Sequence, residues 1–380
     1  MIVFDNIARD IEGPMRPTDT DFGYLNRSNR PEAERVRQLV EQWIARYPES
    51  HRAGLVARLR SMIDVAHCSA FFELALHELL IVTGHRLIEI EPALPHTTKS
   101  PDFLVEAPDG TRFYLEAVLA TGKSADEIAA EARLNDAIHA VECADCPTHF
   151  LHLHVKGVPA KQVKLKILRQ ELADWISKLP AGEAAKEAPA FKYSESGLTL
   201  TVRALPRNKP APAPARAVGM RSLSLYAVQP GEGIRESLEK KASRYGDLEL
   251  PYVVAVNAMR IHHDEDDVLN ALFGTPGVVI RRSDDGWAED EYTRSPDGVW
   301  VGRRGLRKKG LSAVLSTERL LPWSLGQRRM RIIRNPWADR PLPPVPLGVD
   351  ELNPDGDQLV RVEGKPLAEL LRLPAGWPED

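Results

Sequence analysis

Three carboxylates stand where acids could do metal chemistry: Glu73, Asp102 and Glu116. The last two flank Pro108-Asp109-Gly110, a strong hairpin turn. If these three residues form the loop, with Gly110 left-handed, Ala107 pairs with Thr111 and Asp102 falls opposite Glu116. Directly opposed side chains share one sheet face, their Cβ atoms about 5 Å apart. Two like charges so placed repel. They are tolerated when solvated, when one is protonated, or when a divalent cation sits between them. Glu73 lies inside Ala70-Phe71-Phe72-Glu73-Leu74-Ala75-Leu76, a run that reads as buried helix, where an ionised carboxylate needs a partner. Two readings follow. Either His77, one turn on, or an arginine neutralises Glu73 while the hairpin acids face water. Or the three acids bind a hard cation, Mg2+ or Mn2+, that activates water and stabilises charge on a phosphate.

The elements that must position these acids can be read from periodicity. Helices are expected over 31–47, 51–65 and 69–83, the last nearly all apolar and closed by Gly84. Strands follow over 86–91, 102–107 and 112–120, then a helix over 124–141 and a strand over 148–155. A helix over 164–179 and a strand over 198–204 come next. The expected class is α/β, a mixed central sheet flanked by helices. Residues 206–218 are rich in Pro and Ala and read as a linker or exposed loop. Strands at 222–227, 252–257 and 312–315, with helices at 234–245 and 266–273, form a second, smaller α/β region or an extension of the first sheet. The expected division is a helical region 1–64, a core 65–205, the linker, a region 219–340 and a Pro-rich tail 341–380.

These residues resemble the PD-(D/E)XK, or restriction-endonuclease-like, nuclease superfamily. Ser100-Pro101-Asp102-Phe103 is similar to its Pro-Asp element, Tyr114-Leu115-Glu116-Ala117-Val118 to its Glu-x-Lys strand, and Glu73 to its helical acid. The resemblance spans residues 65 to 156. It implies a core of helix, three strands, helix and strand, with Mg2+ or Mn2+ at Asp102, Glu116 and Glu73 and DNA as substrate. One position departs: Val118 stands where the motif has Lys, and valine can neither orient water nor stabilise a transition state. Lys99, just before the Pro-Asp, is the expected catalytic substitute. Lys123, Lys240 and Lys241 are further candidates, each also readable as a solvated surface charge.

The chain of 380 residues has a net charge of −4, yet between 301 and 340 eleven Lys and Arg meet only Glu318 and Asp339. Arg303, Arg304, Arg307, Lys308 and Lys309 make a candidate phosphate-binding patch with Trp300 nearby; the alternative is a solvated charged face. Cys143-Ala144-Asp145-Cys146 with His149, His152 and His154 lacks the second pair that zinc wants. His262-His263-Asp264-Glu265-Asp266-Asp267 reads as the acidic start of a helix more readily than as a metal site. Three cysteines make no disulfide framework, no secretory leader or membrane-spanning run is evident, and a cytoplasmic setting is expected. Two functions remain open: a metal-dependent nuclease acting on DNA, or an inactive nuclease-fold module that binds nucleic acid or a protein.

Overall fold

The computed structural model describes all residues except 1, 17, 123–124, 181, 208–217, 224–229, 260–264, 280–281, 284–285, 288–290, 357, 375 and 380. The chain forms two compact units. One comprises Met1–Pro14, Thr20–Gly122 and Gln229–Asp380; the other comprises Met15–Asp19 and Lys123–Val228. This differs from the division expected above, most of all because the segment expected to be the second half of the core forms a unit of its own. Most of the expected 206–218 linker lies outside the described residues.

The larger unit begins with helices α1 (Asp21–Arg27), α2 (Pro31–Arg46), α3 (Glu49–Leu59) and α4 (Asp64–Val82). Strands β1 (Arg86–Ile90), β2 (Phe103–Glu106) and β3 (Arg112–Ala120) follow as an antiparallel meander. Within the smaller unit lie α5 (Ala125–Glu142), β4 (His149–Lys156), α6 (Leu165–Ile176), β5 (Phe191–Glu195), β6 (Leu198–Pro206) and β7 (Val218–Leu223). The chain returns through α7 (Pro230–Ala242) to β8 (Tyr252–Ala258), which lies parallel to β3. Strands Ala313–Glu318, Arg331–Arg334, Asp350–Asp355 and Gln358–Val362 complete an eight-stranded mixed sheet. From β8 onward the expected 219–340 region therefore extends the first sheet, whereas its first strand, β7, belongs to the smaller unit.

The excursion leaves and re-enters the larger unit at one place. A Cβ at Gly233 would lie 2.2 Å from the Cα of Gly122, so only glycine permits this approach.

The sheet carries a core on each face. Phe113 and Leu115 of β3 pack with Phe71, Leu76 and Leu79 of α4. Val118 and Ala120, which alternate to the other face, pack with Ile234 and Leu238 of α7. Helix α4 is long and apolar enough to cross a membrane by composition, yet its residues Leu74, Leu76 and Leu79 are all but inaccessible in the first core. Phe4, Trp43, Leu342, Leu347 and Trp377 belong to that same core. So the N-terminal helices and the Pro-rich end are structural parts of this unit.

Candidate active site

The hairpin register is the one the turn chemistry predicts. Phe103 pairs with Leu115 and Glu106 with Arg112; the ladder ends at Phe103, and Asp102 is a bend one residue before it. The Ala107 amide donates to the Thr111 carbonyl at 2.8 Å, and Gly110 has φ +87°. Asp102 stands at the mouth of β2 and accepts from the Ala117 amide at 2.6 Å, which fixes its carboxylate beside Glu116. Burial, with the charges of Glu116 and Glu73, pushes the Asp102 carboxyl up to about 7.

Glu116 is buried and its partners come from the α7 end. Lys241 places its ammonium on Oε1, and Arg244 lies 3.6 Å from the same oxygen. The Tyr245 hydroxyl donates to Oε2 at 2.5 Å and lies within 2.8 Å of the Ser100 carbonyl. Burial first, then the bond to Glu116, pushes the Tyr245 hydroxyl well above its ordinary value, so it remains a donor. The cations at Glu116 are therefore Lys241 and, farther off, Arg244. Lys99, expected in that role, is exposed and precedes β2, and Lys240 is exposed on α7. Lys123 lies outside the described residues.

Glu73 departs from expectation in a second way. Alternation along β3 puts Glu116 on the α7 face, whereas Glu73 comes from α4 on the other. Its Oε2 accepts from Arg58 Nη1 at 2.6 Å, and its Oε1 accepts from Arg58 Nη2 at 3.0 Å and from the Tyr47 hydroxyl at 2.8 Å. Such a two-pronged guanidinium bond satisfies both oxygens. Both oxygens of Glu73 are thus paired with Arg58 in this arrangement. His77 instead lies 3.2 Å from Glu78 and packs its ring 4.8 Å from Tyr47. Among the described residues no group of three or more His, Cys, Asp or Glu is placed to hold a metal ion. The pair that remains for a cation is Asp102 and Glu116. It fits in one respect: a buried carboxyl raised by a neighbouring carboxylate is a position that a divalent cation would relieve.

The basic patch divides. Arg307 pairs with Glu239 of α7 at 2.8 Å, and Lys308 donates to Ser243 just beyond that helix. These two residues dock the short hairpin Val301–Gly302 and Gly305–Leu306 beside the helix that carries Lys241. Only Arg303, Arg304 and Lys309 of the five remain exposed. Trp300 is fully buried and packs edge-to-face with Phe273 at 5.1 Å, so it is a core residue and closed to a base. Further along, Arg329, Arg334 and Arg340 pair with Asp350, Glu351 and Asp247, so part of the positive excess is neutralised by ion pairs.

Among the described residues the remaining candidates form no metal-holding group. Cys143 Sγ lies 3.4 Å from His139, and His149 is held between Thr148 and the Pro180 carbonyl. Residues 262–264 lie outside the described residues, and Asp266 and Asp267 fall in the first turn of the helix Glu265–Phe273.

Arg58, Tyr47, Arg244 and Tyr245 belong to no motif in the sequence. The spacing of Lys241 and Tyr245, four residues apart at the end of an amphipathic run, is the only local signal for any of them. No family model, no curated protein and no solved structure matches this chain.

Proposed function

We propose that the chain is a divalent-metal-dependent nuclease whose site is built from Asp102, Glu116 and Lys241. The carrying observation is the ammonium of Lys241 resting on Glu116, on the face that Val118 also shares. It supplies from a neighbouring helix the charge that Val118 cannot. The order α4, β1, β2, β3, then α7 and β8 after an inserted unit, supports a restriction-endonuclease-like core.

In this reading Asp102 and Glu116 hold Mg2+ or Mn2+, which when bound polarises a scissile phosphate and acidifies water. Lys241 donates to the attacking oxygen and counters the negative charge that grows on the phosphate. Tyr245 and the Ala117 amide fix the two carboxylates. Arg303, Arg304 and Lys309 give a nucleic-acid backbone its electrostatic hold, with DNA as the expected substrate. Incubation of labelled DNA with Mg2+ or Mn2+ tests the reading. Cleavage by the wild-type chain that is lost in Asp102→Asn supports it, and equal cleavage by both overturns it.

One observation favours the second reading, an inactive module that binds nucleic acid or a protein. Lys241, Arg244 and Tyr245 together satisfy Glu116 without any metal. Absence of cleavage, with no Mn2+ bound at millimolar concentration, would select it.

A further inference from the structure

The smaller unit has a sheet of order β5, β6, β4, β7. Alternate residues of its strands face two different environments. Leu151, Leu153, Leu200 and Val202 are fully buried against α5 and α6. Among the described residues, the other set is polar or basic, with two large apolar side chains among it. Phe150 is 40% exposed and pairs across the strands with Leu205, itself 38% exposed. Lys156, Lys192 and Arg203 are exposed on the same side, and the remaining described positions there are Ser, Thr and His.

Two details separate this face from an ordinary solvated sheet. First, an aromatic ring sits on a central strand with a guanidinium stacked on it. Arg207 lies 3.8 Å from the Phe150 ring centroid, and its Nε is anchored to the His149 carbonyl at 3.0 Å. Second, its described charges have one sign. The carboxylate on this strand pair, Glu195, alternates to the covered side and accepts from the Tyr193 hydroxyl at 2.6 Å.

We infer that this sheet face is a docking platform for single-stranded nucleic acid. The Phe150–Arg207 stack would take an unpaired base, because every base has a π face and stacks on aromatic rings and guanidinium planes. Lys156, Lys192 and Arg203 would track the phosphates. A duplex buries its base faces, so the stack selects the single strand. The inference deepens the nucleic-acid part of the proposed function and does not need hydrolysis.

The test uses the full chain carrying Asp102→Asn, with EDTA present, so that cleavage plays no part. Fluorescence anisotropy follows a labelled oligothymidine of about twenty residues and a duplex of equal length. Single-strand binding is expected to weaken about tenfold in Phe150→Ala and to recover in Phe150→Trp, since stacking is commonly worth such a factor. Combined Lys156→Ala, Lys192→Ala and Arg203→Ala should lower the slope of log affinity against log salt by about two. All four side chains are exposed, so unfolding midpoints should stay near wild type. Unchanged single-strand isotherms in both variants would overturn the proposal. So would tighter binding of the duplex with the same losses. If Arg303→Ala, Arg304→Ala and Lys309→Ala remove single-strand binding while the sheet variants keep it, the platform is also excluded.

Discussion

The ammonium of Lys241 rests on the carboxylate of Glu116, a residue 125 positions earlier in the chain. If this pairing is the displaced lysine of a nuclease site, Lys241→Ala should lower kcat for divalent-dependent cleavage by about 10^2–10^4-fold, the range for losing a positioned catalytic group. Val118 lies two residues beyond Glu116 on the same strand face. Val118→Lys in the Lys241→Ala background should then recover part of the lost rate. Full activity of Lys241→Ala would remove this residue from the mechanism.

Asp102 gives a pH dependence with a definite sign. Its carboxyl is raised to about 7 in the folded chain, by burial first and then by Glu116 and Glu73. The ordinary value for an unfolded chain is near 4. Its favourable contribution to folding is therefore complete below about pH 4, shrinks as pH rises toward 7, and is absent above. Asn imitates the protonated acid. The melting temperature of Asp102→Asn should exceed wild type by a margin that opens between pH 4 and 7 and then stays level. Mn2+ must displace the same proton, so its apparent affinity should rise about tenfold per pH unit below 7 and flatten above. Calorimetric titrations showing equal affinity at pH 5.5 and 8 would contradict this.

Glu73 should matter for folding rather than for metal. Removing one member of a buried ion pair strands the other. Because Arg58 is 45% exposed, the expected cost of Glu73→Ala is about 2–3 kcal/mol, at or below the low end of the roughly 3–5 kcal/mol for a fully buried pair. Urea unfolding measures it. Mn2+ affinity, compared at a pH above 7, should stay within about twofold of wild type. A tenfold loss there would return Glu73 to the metal site.

The exposed basic side chains beside α7 make a separate prediction. Arg303→Ala, Arg304→Ala and Lys309→Ala together should reduce duplex affinity and lower its salt slope by about 2–3, near 0.9 for each phosphate no longer neutralised. Arg307→Ala should act differently, because its partner is Glu239. It should loosen the hairpin and cost no more than about 1 kcal/mol of stability. An unchanged duplex isotherm in the triple variant would leave these residues as a solvated face.

What could be read from sequence was local. The Phe103–Leu115 register of the hairpin followed from three turn residues, because Gly110 can take the left-handed conformation the loop requires. Most helices and strands were located within a few residues for the same reason: their periods are short. The partner of β3 was a different matter. Hydrophobic periodicity says nothing about which strands pair across an inserted unit, so α5 and β4 read as continuing the sheet of β3, whose parallel partner is β8. Lys241 was visible as one lysine among several, and only the packing of α7 on β3 singles it out. Glu73 was recognisable as a buried acid in need of a partner, but Arg58 lies on another helix and was not foreseeable.

The parallel pairing of β3 with β8 also sets a timetable for synthesis. When Ala120 emerges from the ribosome, the strand edge beside it is bare, and its partner Ala258 is still untranslated behind the whole inserted unit. At about 5–20 residues per second, that edge waits on the order of ten seconds. An unpaired strand edge is a template for association with other chains. The smaller unit, contiguous but for Met15–Asp19, has the interval in which to form its own sheet first. Slowing translation beyond residue 123 would lengthen the exposure, and a nascent chain arrested before β8 should be a substrate for chaperones that bind unpaired strands.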